Sequence, residues 1–189
     1  MDKKLKIVTA ITGASGTIYA KLFLEKIKTS NEIDHEHLSL IISEQGEQVA
    51  THELGADWKT DIPYKEYSNT SYYAPFASGS AGYDAMIIIP CSMGTLGRIA
   101  SGTSNDLISR TADVMLKERK KLILVIRESP YNLIHIKNME MITLAGGIIV
   151  PASPSFYMHP KSINDLAFTV VDRVIDHLWI SHQTKRWNL

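Results

Sequence analysis

The chain has 189 residues, of which 44% are hydrophobic and 21% charged, a composition that excludes disordered, fibrous and collagen-like classes. Twenty Lys and Arg balance twenty Asp and Glu, so no global field draws the chain to nucleic acid or to an anionic membrane. No segment reaches the roughly 20 apolar residues of a membrane helix, and a single Cys forms no internal disulfide, so a cytoplasmic protein with one domain over residues 1–189 is expected.

Five apolar runs read as strands in chain order: Leu5 to Ile11, Leu38 to Ile42, Ala85 to Pro90, Leu122 to Ile126 and Gly147 to Val150. They are continuous rather than alternating, as parallel strands covered on both faces should be. Helical patterns lie between and after them at Ile18 to Ile27, Gln45 to Leu54, Ser104 to Lys120, Leu133 to Leu144 and Ser162 to Trp179. In the last, Ile163, Leu166, Val170, Val174 and Leu178 recur at helical spacing behind a Ser162 cap. This alternation predicts an α/β fold, a three-layer Rossmann-like or flavodoxin-like domain around a central parallel sheet. Gly55 to Gly82, with Pro63, Pro75 and four tyrosines, reads as a long functional loop, and Pro151 to Pro160 as a second. Ligands of such sheets bind beyond the carboxyl ends of the strands, so the residues that follow each run carry the functional reading.

Thr12-Gly13-Ala14-Ser15-Gly16 follows the first strand and opens a helix. Its small residues allow close approach of a ligand, and the helix N-terminus favours an anion. The same residues also suit a ligand-free turn, and they lack both the G-x-G-x-x-G spacing and a P-loop Gly-Lys. Ser43 ends the second strand; Glu47 and Glu53 lie on different parts of the next helix and read as solvated carboxylates. After the third run, Pro90-Cys91-Ser92-Met93-Gly94-Thr95 offers hydroxyls and flexible backbone, with Cys91 as a packing residue. Arg110 and Lys117 lie on one helix. The Arg127-Glu128 pair at the mouth of a buried strand suits phosphate recognition and proton handling. Arg173 sits among apolar residues of the last helix, where its stem could snorkel, and Tyr157 lies in the final loop. Seven His form no metal-ligand spacing, so no metal is expected, and no Lys/Arg run marks a nucleic-acid surface.

Six of these segments together resemble the UbiX-type flavin prenyltransferases: TGASG at 12–16, APFASGS at 74–80, PCSMGTL at 90–96, NDLISRTADVMLKER at 105–119, LVIRESP at 124–130 and FYMHPKS at 156–162. The resemblance covers nearly the whole chain. It implies a homo-oligomer, commonly a dodecamer, that joins the dimethylallyl group of dimethylallyl phosphate to reduced FMN and delivers prenylated FMN to a UbiD-type decarboxylase. By the same resemblance Gly13, Ala14, Ser15, Ser43, Ser92, Met93, Thr95 and Arg127 contact the flavin. Arg110, Lys117, Glu128, Tyr157 and Arg173 surround the prenyl phosphate. Ser15, Glu53 and Glu128 manage protons, and Tyr72 flanks the prenyl chain where some members carry Trp. The C-terminal tail, residues 181–189 with Trp187, is a further candidate for the site or the oligomer. Two alternatives stay open: an FMN-dependent cysteine decarboxylase of the related flavoproteins, whose P-A-S-A-N-T and P-x-M-N-x-x-M-W segments are not matched here, and a flavin-binding carrier without turnover.

Overall fold

A computed structural model describes residues 3–59 and 64–184. Six parallel strands form one sheet in the order β3-β2-β1-β4-β5-β6: β1 Ile7–Ile11, β2 Ser39–Ile42, β3 Lys65–Ser68, β4 Ala85–Cys91, β5 Lys121–Ile126 and β6 Ile148–Pro151. Every residue of β1 and β4 is buried, which is why those runs are apolar without alternation.

The helices are α1 Thr17–Ile27, α2 Glu44–Leu54, α3 Met93–Ala100, α4 Leu107–Lys117, α5 Leu133–Leu144 and α6 Ile163–Leu178. Two separate cores follow. Phe23, Leu24, Ala50, Val171 and Val174 of α1, α2 and α6 pack on one sheet face with Ile7, Ile11, Ile87 and Ile89. Leu96, Ile108, Met115 and Ile142 of α3, α4 and α5 pack on the other face with Val8, Ala10, Met86 and Ile88. The sheet therefore separates α4 from α6.

Two sequence expectations are corrected. The long loop expected over 55–82 contains β3, followed by the 3-10 turns Pro75–Ala77 and Gly79–Ala81. β3 reads Lys-Glu-Tyr-Ser and is an edge strand, so charged residues guard its open side and no apolar run betrays it. Only Tyr67 turns inward, meeting Phe76 edge-on with ring centroids 4.9 Å apart. The flexible backbone expected after β4 is instead helix α3, started by Ser92, whose hydroxyl accepts from the Thr95 amide at 3.3 Å. The remaining elements agree with the predicted strands and helices to within a few residues, except that the helix predicted from Ser104 starts at Leu107 behind an Asp106–Ser109 capping box. Among the described residues no helix is long and apolar enough to cross a membrane.

Candidate active site at the sheet switch point

Strand order reverses between β1 and β4, where the chain leaves β1 toward β2 on one side and returns at β4 on the other. Such a reversal opens a crevice at the carboxyl ends of the two strands. Thr12 staples its floor: its hydroxyl donates to the Pro90 carbonyl at 2.9 Å and accepts from the Ser92 amide at 2.8 Å.

Three helices point their N-termini at this edge. Ser43 caps α2 by accepting from the Gly46 amide at 3.0 Å, and Ser92 caps α3. The leading amides of each helix, Glu44 and Gln45 in α2 and Met93 and Gly94 in α3, have no partner within their own helix. Gly13 and Gly46 are required here by close approach. A Cβ on Gly13 would lie 2.5 Å from Cβ of Gln45, and one on Gly46 would lie 2.6 Å from the Ile11 carbonyl oxygen.

At α1 the expected anion seat is already filled. Gly16, in the left-handed conformation at φ 102°, starts the helix; its amide donates to both oxygens of Glu53 at 3.0 Å, and the Thr17 amide donates to the same carboxylate at 2.8 Å. Glu53 is thus no freely solvated carboxylate. It is the anion that the α1 N-terminus holds. Partial desolvation pushes its carboxyl upward, but hydrogen bonds from the Ser15 hydroxyl and the Thr17 and Gly16 amides outweigh that and leave it below the ordinary glutamate range. The group stays ionised at neutral pH.

Arg127 closes the crevice from β5. Its amide donates to the Cys91 carbonyl at 3.3 Å and its Nε to the Ser15 carbonyl at 3.1 Å. The two terminal guanidinium nitrogens make no hydrogen bond among the described residues, so they remain for a ligand. Glu128 Oε1 accepts from the Ser129 amide at 3.0 Å, and the Tyr72 hydroxyl donates to the Ser104 carbonyl at 3.3 Å. Cys91 is buried, and desolvation pushes its thiol up to about 12, so it packs rather than reacts.

Of the residues singled out in the sequence, Gly13, Ala14, Ser15, Ser43, Glu53, Tyr72, Ser92, Met93, Thr95, Arg127, Glu128 and Tyr157 all lie at this carboxyl edge of the sheet. Lys117 and Arg173 are not brought to it within one chain, and Arg110 lies one turn into α4, whose first amides bond to Asn69 just past β3. Arg110 donates to the Ala77 carbonyl at 3.2 Å and pairs with Asp113 at 2.9 Å, and Lys117 pairs with Glu118 near the start of β5. Arg173 is on the far face, on α6, paired with Asp176 at 3.0 Å. One turn beyond it the His177 carbonyl accepts from Lys121 at the amino end of β5, so Arg173 sits toward the opposite end of the sheet. It does not lie buried among the apolar residues of its helix; its side chain is 62% exposed. The tail candidate Trp187 lies outside the described residues. Among those described, one trio of potential metal ligands, Asp34, Glu36 and His37, comes together, but before β2 at the other end of the sheet, where Asp34 already accepts from the Glu36 amide and His37 Nδ1.

Sequence reasoning missed Arg98. From α3 it donates to Thr95 Oγ1 at 3.1 Å, which in turn is 3.1 Å from Ser92 Oγ, and it pairs with Asp106 at 3.5 Å. The signal was the helix itself: Met93, Leu96 and Ile99 share a face behind Ser92, which places Arg98 one turn after Thr95.

Comparison with known proteins now bears on this geometry. The Flavoprotein family profile matches residues 1–176. The flavin prenyltransferase UbiX of Methanocaldococcus jannaschii is 45% identical over 186 residues, covering 97% of this chain and 98% of its own. The chain belongs to the UbiX flavin prenyltransferase family. Its fold is shared with an AnUbiX crystal structure in complex with FMN and dimethylallyl pyrophosphate, with a TM-score of 0.90 at 36% identity over 98% of this chain and all of the other. A dodecameric FMN-dependent UbiX-like decarboxylase from Escherichia coli superposes with a TM-score of 0.91 at 33% identity, covering 97% of this chain and 100% of that one. In this UbiX-family chain the crevice between β1 and β4 lies at the switch point where ligands of such sheets bind.

Proposed function

We propose that this chain is a flavin prenyltransferase that joins the dimethylallyl group of dimethylallyl phosphate to reduced FMN, and that the product serves a UbiD-type decarboxylase. The observation that supports the reading beyond flavin binding is the Glu53 carboxylate held by the Gly16 and Thr17 amides at the α1 N-terminus, next to Ser15, whose carbonyl accepts from Arg127.

The donor set fits FMN. Hydroxyls of Ser43, Ser92 and Thr95, the leading amides of α2 and α3, and the terminal nitrogens of Arg127 supply hydrogen-bond and anion partners. Gly13 and Ala14 keep the β1 side of the crevice low. Reduced flavin, when bound, supplies the nucleophile. Ser15 and Glu53 form a path by which a proton can leave or reach the reacting atoms, with Glu128 as a second carboxylate at the crevice mouth. Tyr72 offers an aromatic face to positive charge developing on the allyl group and keeps water from it.

The departing phosphate needs cations, and α4 and α6 lie on opposite faces of the sheet. Arg110 and Lys117 on one face and Arg173 on the other cannot converge on a single phosphate within one chain. They can do so where copies meet, with Tyr157 from the loop after β6. The enzyme is accordingly a homo-oligomer.

Anaerobic incubation of the purified protein with reduced FMN and dimethylallyl phosphate should yield a flavin heavier by one prenyl group, detected by mass spectrometry. Flavin binding without the new mass would establish the carrier reading, and carbon dioxide released from a peptidyl or pantothenoyl cysteine would establish the decarboxylase. Arg127→Ala should weaken FMN binding by about tenfold to a hundredfold, because a charge-assisted pair is lost along with a tie to the Ser15 carbonyl. Quenching of flavin fluorescence on titration measures it, and an unchanged Kd would remove Arg127 from the flavin contacts.

A further inference from the structure

Beyond α6, residues 179–184 fold back onto the domain. Trp179 takes the left-handed conformation at φ 59°, Ile180 is buried, and the Ser181 amide donates to Glu32 at 3.0 Å. This turn sends His182 back along α6, where its side chain is only 6% exposed. There the ring lies between two carboxylates of that helix. His182 Nε2 is 2.9 Å from Asp176 Oδ1, and Nδ1 is 3.7 Å from Asp172 Oδ1. Asp172 is held in turn by Lys26 of α1 and by the Thr184 hydroxyl. The other oxygen of Asp176, Oδ2, accepts from Arg173 Nη1 at 3.0 Å.

One carboxylate thus bridges a nearly buried imidazole and an exposed guanidinium. An i,i+3 pair on a helix surface does little to hold a long arginine in one rotamer. Asp176 is different because its second oxygen is fixed from behind by the tail. Fixing the carboxylate fixes the guanidinium, and an arginine already in place binds an anion without first being ordered. We infer that His182 is a positioning residue for prenyl-phosphate binding, acting through Asp176 on Arg173. This rests on the proposed role of Arg173 and gives residues 179–184 a task in substrate recognition that their distance from the crevice conceals.

The test compares His182→Ala, His182→Gln, Arg173→Ala and the double variant His182→Ala/Arg173→Ala in the full-length, flavin-loaded protein. Read are KM and kcat for dimethylallyl phosphate, its Kd by calorimetry with oxidised FMN bound, and the Kd for FMN. His182→Ala should raise KM and Kd for dimethylallyl phosphate about tenfold, with kcat at saturation and FMN affinity within about twofold of the parent. Added imidazole should restore KM, and His182→Gln, whose amide reaches where Nε2 was, should stay close to the parent. In the Arg173→Ala background His182→Ala should cost nothing further. If His182→Ala does not fold, His182→Asn, too short to reach Asp176, makes the same comparison. A raised KM in Arg173→Ala beside an unchanged one in His182→Ala overturns this inference and leaves the phosphate role of Arg173 standing. An unchanged KM in Arg173→Ala overturns that role and the inference with it. Equal losses of prenyl-phosphate and FMN binding in His182→Ala, without rescue by imidazole, would reduce the contact to a structural clasp and overturn the inference.

Discussion

Glu53→Gln should lower the rate of prenyl transfer by about 10²- to 10³-fold while FMN affinity changes only a few fold. The magnitude is that of losing a positioned acid or base. The direction follows from the contacts: both carboxylate oxygens accept from the Gly16 amide and one also from Thr17, whereas glutamine offers one acceptor and turns a donor toward those amides. It can no longer take a proton from Ser15. A stability change accompanies the kinetic one, about 1 kcal/mol, the size of losing a helix N-terminal acceptor. Its pH dependence has a definite sign. Because the folded carboxyl lies below its ordinary value, the stabilisation is fully present above the ordinary glutamate range and is lost as pH falls through the depressed folded value. Unfolding followed at about pH 7 and about pH 3 should show the gap between parent and Glu53→Gln closing at the acid end. Equal rates in the two proteins, or a gap that widens in acid, would contradict the assignment.

Gly46→Ala should cost about 2–3 kcal/mol of stability, and with it the flavin site. The glycine has no unusual backbone angle; what it lacks is room, since a Cβ would stand 2.6 Å from the Ile11 carbonyl oxygen and 3.1 Å from Ser43 Oγ. The first of these is sheet backbone, whose oxygen also accepts from the Ser43 amide at 3.0 Å. It cannot yield without moving the end of β1. Helix α2 must then retreat from the crevice, carrying the Ser43 cap at one end and Glu53 at the other. A fall in melting temperature of about 5–10 °C is expected for a chain of this size, together with weaker FMN binding. Gly94→Ala provides the contrast, as its nearest neighbour would be Arg98 Nη1 at 3.8 Å, and its melting temperature should hardly move.

Several elements could be read directly because one force dominates them. β1, β2, β4 and β5 are buried on both faces, so hydrophobic burial alone writes their sequences. β3 is invisible to the same reasoning, because at an edge the need to repel other strands outweighs the need for apolar side chains. Helix α3 was hidden for a different reason: glycines at 94 and 97 and the hydroxyls at 92 and 95 match loop chemistry, and only the cap with the Met93, Leu96 and Ile99 face tells otherwise. Residues directly after strands were legible as site candidates, since the topology places strand ends together. Glu53 was legible only through family resemblance, and its own surroundings mislead. It lies eleven residues beyond a strand end, and nothing local reveals that the far end of α2 returns to the start of α1. Arg173 marks the limit of reading a single chain, because within one chain it pairs with Asp176 on α6, away from the crevice.

The division of α4 and α6 by the sheet has a kinetic corollary. In the proposed assembly one subunit supplies the flavin contacts and several supply the leaving-group cations, so dilution should separate two observables that normally travel together. The yellow colour of the bound chromophore should persist at protein concentrations where specific activity has already begun to fall, and mixing two inactive variants, one lacking Glu53 and one lacking Arg173, should regenerate turnover in hybrid particles.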